Sequence, residues 1–160
     1  MKRFAIAVSI LAIGAAGCGS DSPTTPSNLT LFTVQLSALN EVPPVSNAES
    51  GARGTAVIAV NSVANTIDFA VSLNGFPATT TLTAAHIHPG AAGVNGGVMV
   101  GTGLTAAASP SLATGSATFS YNGVTTTAAN IALILANPQN FYFNVHSTLN
   151  GPGVIRGQLR

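Results

Sequence analysis

The chain has 160 residues, a formal net charge of +1 and charged side chains at only 6% of its positions. Once a leader is set aside, this length leaves room for one domain of ordinary size. The low charge argues against nucleic-acid binding, because no basic cluster is present to neutralise phosphates. Solubility must therefore come from Thr, Ser, Asn and Gly, a composition common in exported β-proteins.

The first residues predict an export signal rather than a part of the fold. Residues 1–3 carry the positive charge, and residues 4–13 form an apolar run that is too short to span a bilayer. Ala15-Ala16-Gly17 then precedes Cys18, the only cysteine of the chain. This pattern resembles the bacterial lipobox, in which the cysteine becomes lipidated. The alternative is a plain signal peptide or a short anchor helix, with Cys18 incidental.

A lipidated Cys18 predicts where the protein resides and what it touches. We expect a signal peptide at 1–17, a lipidated cysteine with a flexible Ser/Thr/Pro tether at 18–28, and a domain at 29–160. The mature protein would be extracytoplasmic and lipid-anchored to the membrane. Gly19 stands where an acidic residue signals inner-membrane retention, so the resemblance implies the outer membrane in a Gram-negative cell. An envelope or extracellular protein is a further expected class of partner.

Alternation with a period of two dominates residues 29–160. Apolar Phe32, Val34 and Leu36 alternate with polar residues, and a similar run at 67–73 ends at the turn signal Asn74-Gly75. Residues 127–136 predict a short helix that Asn137-Pro138 stops. Further strands are predicted at 54–60, 82–88, 97–101, 115–121, 141–147 and 154–159. The pattern predicts an all-β fold, an antiparallel Greek-key-like sandwich or barrel with one short helix.

The three histidines of the chain fall in two of these strands. His86 and His88 are two residues apart in an extended segment, so their side chains leave the same face. His146 ends another predicted strand, and the three imidazoles converge if those strands meet. Three imidazoles with one open position suit copper or zinc. The alternative is a structural histidine network that is hydrogen-bonded to neighbouring side chains or carbonyls.

The last two strands can be registered from the sequence. The turn cluster at 150–153 predicts a hairpin that places Asn144 opposite Arg156. One face of this hairpin then carries Asn144, His146, Arg156 and Gln158. Glu41 is expected either to orient a ligand histidine or to pair with Arg156. No catalytic residue is assigned, because the sequence offers neither a nucleophile elbow nor paired carboxylates.

Several motifs resemble those of the CHRD domain, which is named for its copies in the animal protein chordin. They are Ala-Leu-Asn-Glu-Val-Pro-Pro-Val at 38–45, Ser-Gly-Ala-Arg-Gly-Thr-Ala at 50–56, Ala-Ala-His-Ile-His-Pro-Gly at 84–90, and the closing hairpin at 143–147 and 153–159. The resemblance spans residues 29–159. It implies an extracellular β-sandwich module and leaves its biochemical role undefined. The first expectation is therefore a non-enzymatic binding or structural module of the cell envelope that holds one transition metal.

A second resemblance implies redox chemistry. Residues 54–60, 66–75 and 83–88 are similar to the early strands of copper–zinc superoxide dismutase, and residues 144–146 are similar to its late copper-ligand strand. The resemblance implies that His86, His88 and His146 are copper ligands. The sequence has no fourth histidine to bridge copper to zinc, and it has no zinc-ligand cluster. The alternative function is thus a copper-dependent redox protein with a mononuclear site.

Overall fold

The computed structural model describes residues 28–160. The predicted signal peptide at 1–17, the lipidation site Cys18 and all of the tether except Asn28 lie outside the described residues. Within residues 28–160, no helix has the length and apolar character needed to cross a membrane.

The described chain consists of eight strands and one α-helix. The elements are β1 (Leu29–Ser37), β2 (Arg53–Asn61), β3 (Thr66–Asn74), β4 (Leu82–Pro89), β5 (Val100–Gly101), β6 (Ala117–Thr125), α1 (Ala128–Ala136), β7 (Phe141–Ser147) and β8 (Ile155–Gln158). Short 3-10 turns lie at Ala38–Asn40, Ala106–Ala108 and Pro138–Asn140. The all-β prediction with one short helix is confirmed.

All eight strands belong to one antiparallel sheet that is curled into a half-barrel. The strand order is β5-β4-β7-β8-β1-β2-β3-β6. Phe69 of β3 stacks on Phe143 of β7 with ring centroids 5.6 Å apart, although β8, β1 and β2 lie between these strands in the sheet. The sheet therefore folds back on its own apolar face, and the core lies inside the curl.

The helix follows from its local sequence and covers part of this core. The side chain of Thr127 caps α1 by accepting a hydrogen bond from the backbone N–H of Asn130. Ile131 and Ile134 lie three residues apart on one face of the helix, and both are buried in the core cluster. The helix thus connects edge strand β6 to strand β7 and adds apolar side chains to the core.

Strand β8 packs unusually close to β1. A Cβ atom at Gly157 would overlap the backbone carbonyl of Gln35, so only glycine fits at this position. Ser37 pairs with Arg156 across the two strands, and the Asn40 side chain donates to the Arg156 carbonyl at 3.0 Å. The first motif of the chain is therefore held against the closing hairpin.

Strand β7 is buried on both faces, whereas its sequence predicts one apolar and one polar face. All seven of its residues are buried. Two segments cover the polar face: the glycine-rich loop at 90–97 and the loop between β1 and β2. The predicted polar face is therefore the floor of an enclosed polar layer.

Candidate metal centre

The pairing of β4 with β7 brings the three histidines together. His86 pairs with Asn144, His88 with Tyr142, and Ala84 with His146. Because directly opposed residues in an antiparallel pair share a face, the three imidazoles project to the same side of the sheet. One ring nitrogen from each histidine lies within 4.8 Å of the others. The predicted convergence of the histidines is therefore present in the fold.

Backbone carbonyls fix two of the three rings. His88 Nδ1 lies 3.0 Å from the Gly96 carbonyl, and His146 Nδ1 lies 2.8 Å from the Gly151 carbonyl. A carbonyl can only accept, so both Nδ1 atoms carry a proton, and in the neutral ring the Nε2 atom then presents its lone pair. His88 Nε2 is buried and has no hydrogen-bond partner among the described residues. This is the arrangement in which proteins prepare a histidine for a metal.

The third ring completes the cluster through its other nitrogen. His86 Nδ1 lies 3.0 Å from His146 Nε2. Two nitrogens that bind one metal at about 2.0–2.1 Å lie about 2.8–3.4 Å apart for angles between 90° and tetrahedral. The observed spacing fits either a shared metal ion or a His86 N–H donated to His146. The candidate ligand atoms are therefore His86 Nδ1, His88 Nε2 and His146 Nε2.

Burial lowers the pKa values of two of the three histidines and so favours their neutral form. Burial lowers the pKa of His86 to about 4, and the neighbouring His146 and His88 add to this effect. Burial also lowers the pKa of His146, and its hydrogen bond to Gly151 opposes part of that shift. Near pH 7 the rings of His86 and His146 are neutral, which is the form that binds a metal.

The side chains of Tyr142 and Arg156 stack behind the His88 ring and support it. The Tyr142 ring lies parallel to the His88 ring with centroids 4.9 Å apart, and Arg156 Cζ lies 3.5 Å from the centroid of the Tyr142 ring. His88 and Arg156 come from the strands on either side of β7, so Tyr142 is sandwiched between them. This stack restricts the orientation of the His88 ring.

Arg156 also holds the 90–97 loop in place. Its guanidinium donates to Asn95 Oδ1 at 2.9 Å, to the Val94 carbonyl at 2.8 Å and to the Ala91 carbonyl at 3.3 Å. Gln158 donates to the Gly90 carbonyl at 2.9 Å. The loop that carries the Gly96 carbonyl is thereby fastened to β8.

Glu41 lies in the same polar layer as Arg156 and Asn144. Burial raises the pKa of its carboxyl from the ordinary 4.5 to about 7, against the attraction of Arg156 and a hydrogen bond with the Asn144 side chain. Asn144 lies opposite His86 on one side and Arg156 on the other. Glu41 therefore reaches the histidine layer through Asn144.

Replacing Glu41 with Gln should change how stability depends on pH. Since the folded pKa is raised, the carboxyl favours the fold fully below about pH 4.5 and loses this contribution as the pH rises through 7. Relative to E41Q, the wild type should lose up to about 3 kcal/mol of unfolding free energy between pH 5 and pH 8. Denaturant unfolding of both proteins measures this difference, and the titration of the histidines cancels in it. A difference that stays constant with pH would contradict the prediction.

The sequence predicted no role for Glu49, whose side chain is buried. It accepts from Thr80 Oγ1 at 2.8 Å, from Ser147 Oγ at 2.5 Å and from Asn150 Nδ2 at 2.5 Å. These contacts fix the turn after β7, which supplies the Gly151 carbonyl to His146. The only sequence signal was a single acid next to the Ser-Gly-Ala-Arg motif, which does not reveal donors about 100 residues away.

Comparison with protein-family models identifies the family of this chain. The family model for the CHRD domain matches residues 32–159. The chain belongs to the CHRD domain family. Comparison with curated proteins and with solved structures gave no match, so the likeness to superoxide dismutase stays a prediction.

Three of the CHRD motifs named in the sequence meet at one place in the fold. The first motif supplies Glu41, the central motif supplies His86 and His88, and the closing hairpin supplies His146 and Arg156. In this CHRD domain, residues that are far apart in the chain therefore build one layer around three imidazoles.

Proposed function

We propose that this CHRD domain binds one transition-metal ion through His86, His88 and His146, with copper preferred over zinc. The observation that carries the proposal is the preparation of the ligand atoms. Two rings are fixed by carbonyls with their Nε2 lone pairs available, and the Nε2 atom of His88 is buried without a partner. Among divalent ions, copper binds nitrogen ligands most tightly.

We also propose that the protein acts as a binding module at the outer surface of a cell membrane. The support comes from the sequence: an export signal, the lipobox-like residues before Cys18, and a tether that contains no packing residues. In this role the metal site belongs to a lipid-anchored envelope protein that meets metal ions or protein partners outside the cytoplasm.

Metal stoichiometry tests the binding proposal. The full chain, purified in detergent without a histidine tag, would be offered Cu²⁺ or Zn²⁺ and passed over a desalting column before elemental analysis. We expect about one ion per chain, because one set of three imidazoles is present. A wild-type protein that retains neither metal would overturn the proposal and leave the histidines a structural role.

A copper-dependent redox activity is the second candidate function. The observation in its favour is that His86 is only half-buried, so a bound ion with three imidazole ligands has a side open to solvent. Superoxide removal by the copper-loaded chain, and not by the zinc-loaded chain, would favour this candidate. A copper-loaded chain without this activity would leave binding as the function.

A further inference from the structure

The three ligands differ in how firmly they are held. His88 and His146 are buried, and each donates its Nδ1 proton to a backbone carbonyl. His86 is half-buried, and the hydrogen bond of its ring goes to His146, which is itself a ligand. His88 and His146 are therefore held by the backbone, whereas His86 is held only by its hydrogen bond with His146.

The outer edge of the His86 ring lies over Gly101. Gly101 pairs with His86 across β4 and β5, and it is exposed. A Cβ atom at Gly101 would lie 3.4 Å from His86 Cδ2 and 3.9 Å from His86 Nε2. The edge of the ring that faces away from His146 thus borders a position with no side chain, on a strand of only two residues.

We infer that His86 is the exchanging ligand of the metal site and that Gly101 provides the space into which its ring moves. This inference rests on the proposed metal binding and adds how an ion enters and leaves. His86 swings over Gly101 and opens the cluster, while His88 and His146 keep their positions. The ion then binds the two anchored imidazoles first, and the return of His86 closes the site.

Filling the space at residue 101 should slow exchange without removing a ligand. Gly101 has a backbone conformation that other residues adopt, and an alanine Cβ would make only an ordinary contact with the His86 ring. A Gly101→Val side chain fills more of the space and opposes the movement of the ring. We expect loading and release of copper to slow by about tenfold in G101V and by less in Gly101→Ala.

The experiment follows tyrosine fluorescence in the full chain in detergent, because the chain has no tryptophan and Tyr142 stacks on His88. Stopped-flow mixing with Cu²⁺ gives the loading rate, and mixing the loaded protein with excess EDTA gives the release rate. Ala70→Val is the matched control, since it adds the same branched side chain to an exposed strand position on β3, which carries no residue of the metal site. Elemental analysis of each copper-loaded variant shows that the ligand set is retained. The unfolding temperature of each metal-free variant shows that the fold is retained.

The expected result is slower loading and slower release in G101V, an intermediate effect in G101A and wild-type rates in A70V, all with about one copper per chain. Wild-type rates in G101V would overturn the inference and leave the metal site intact. Equal slowing in A70V would also overturn it, since the effect would not be local to His86. If G101V does not fold, wild-type rates in G101A overturn the inference. A wild-type chain that binds no copper defeats the proposed function together with this inference.

Discussion

Replacing either His88 or His146 with alanine is expected to abolish retention of copper after desalting. Each variant removes a ligand nitrogen whose lone pair is presented by a carbonyl contact on the opposite side of the ring. Loss of such a supporting partner alone costs roughly 10–100-fold in affinity, so loss of the ligand itself should cost more than about 100-fold. Competition titration against a chelator of known copper affinity measures the change.

His86→Ala is the comparison that separates a metal site from a structural network. Within residues 28–160 the His86 ring is hydrogen-bonded to His146 and to no backbone carbonyl, so the metal-free H86A protein should keep nearly the unfolding temperature of the wild type. H88A and H146A each remove a buried ring together with its hydrogen bond to a backbone carbonyl, and that hydrogen bond alone contributes about 0.5–1.5 kcal/mol. If all three variants bind copper as the wild type does, the imidazoles are not its ligands.

Replacing Arg156 with leucine is expected to destabilise the domain more than any other loss of a single charge. The side chain is 1% exposed and supplies donors to one side chain and two carbonyls of the 90–97 loop. Leucine removes three hydrogen bonds of a buried guanidinium and its stacking contact with Tyr142, at a cost of about 3 kcal/mol or more. Lysine should restore little of this stability, because it cannot reproduce the planar fork of donors.

Chemical denaturation of R156L, R156K and the wild type measures this effect, and Arg160→Leu serves as the control. Arg160 is exposed, so its replacement should change the unfolding free energy by no more than about 0.5 kcal/mol. The R156L variant should also bind copper more weakly, because the loop that offers the Gly96 carbonyl to His88 is released. An R156L protein as stable as R160L would show that the buried guanidinium does not hold the loop.

The sequence was sufficient for the features that depend on local patterning. Alternation located the strands, the asparagine and proline after residue 136 ended the helix, and the turn at 150–153 predicted the pairing of Asn144 with Arg156, which the structure confirms. The spacing of His86 and His88 placed them on one face. Each of these predictions concerns residues that are close together in the chain or joined by a tight turn.

The features that the sequence did not predict depend on contacts between distant segments. The burial of Asn144 and Arg156 requires the 90–97 loop and the loop after β1 to cover a face whose polar residues suggest solvent exposure. Glu41 was expected to orient a histidine or to pair with Arg156; in the structure its carboxyl is hydrogen-bonded with the Asn144 side chain and feels the charge of Arg156. The tautomers of His88 and His146 follow from carbonyls of glycines, which carry no side-chain signal.

The paired strands that carry the site are far apart in the chain, so the site forms late in folding. His86 and His146 are 60 residues apart, and Ser37 meets Arg156 only when the first and last strands join. Contacts between such distant residues close slowly during folding, because a long loop must be ordered first. A chain that has not yet folded therefore offers a metal only the local pair of His86 and His88. Only a chain that has completed folding can bind a metal ion with all three histidines.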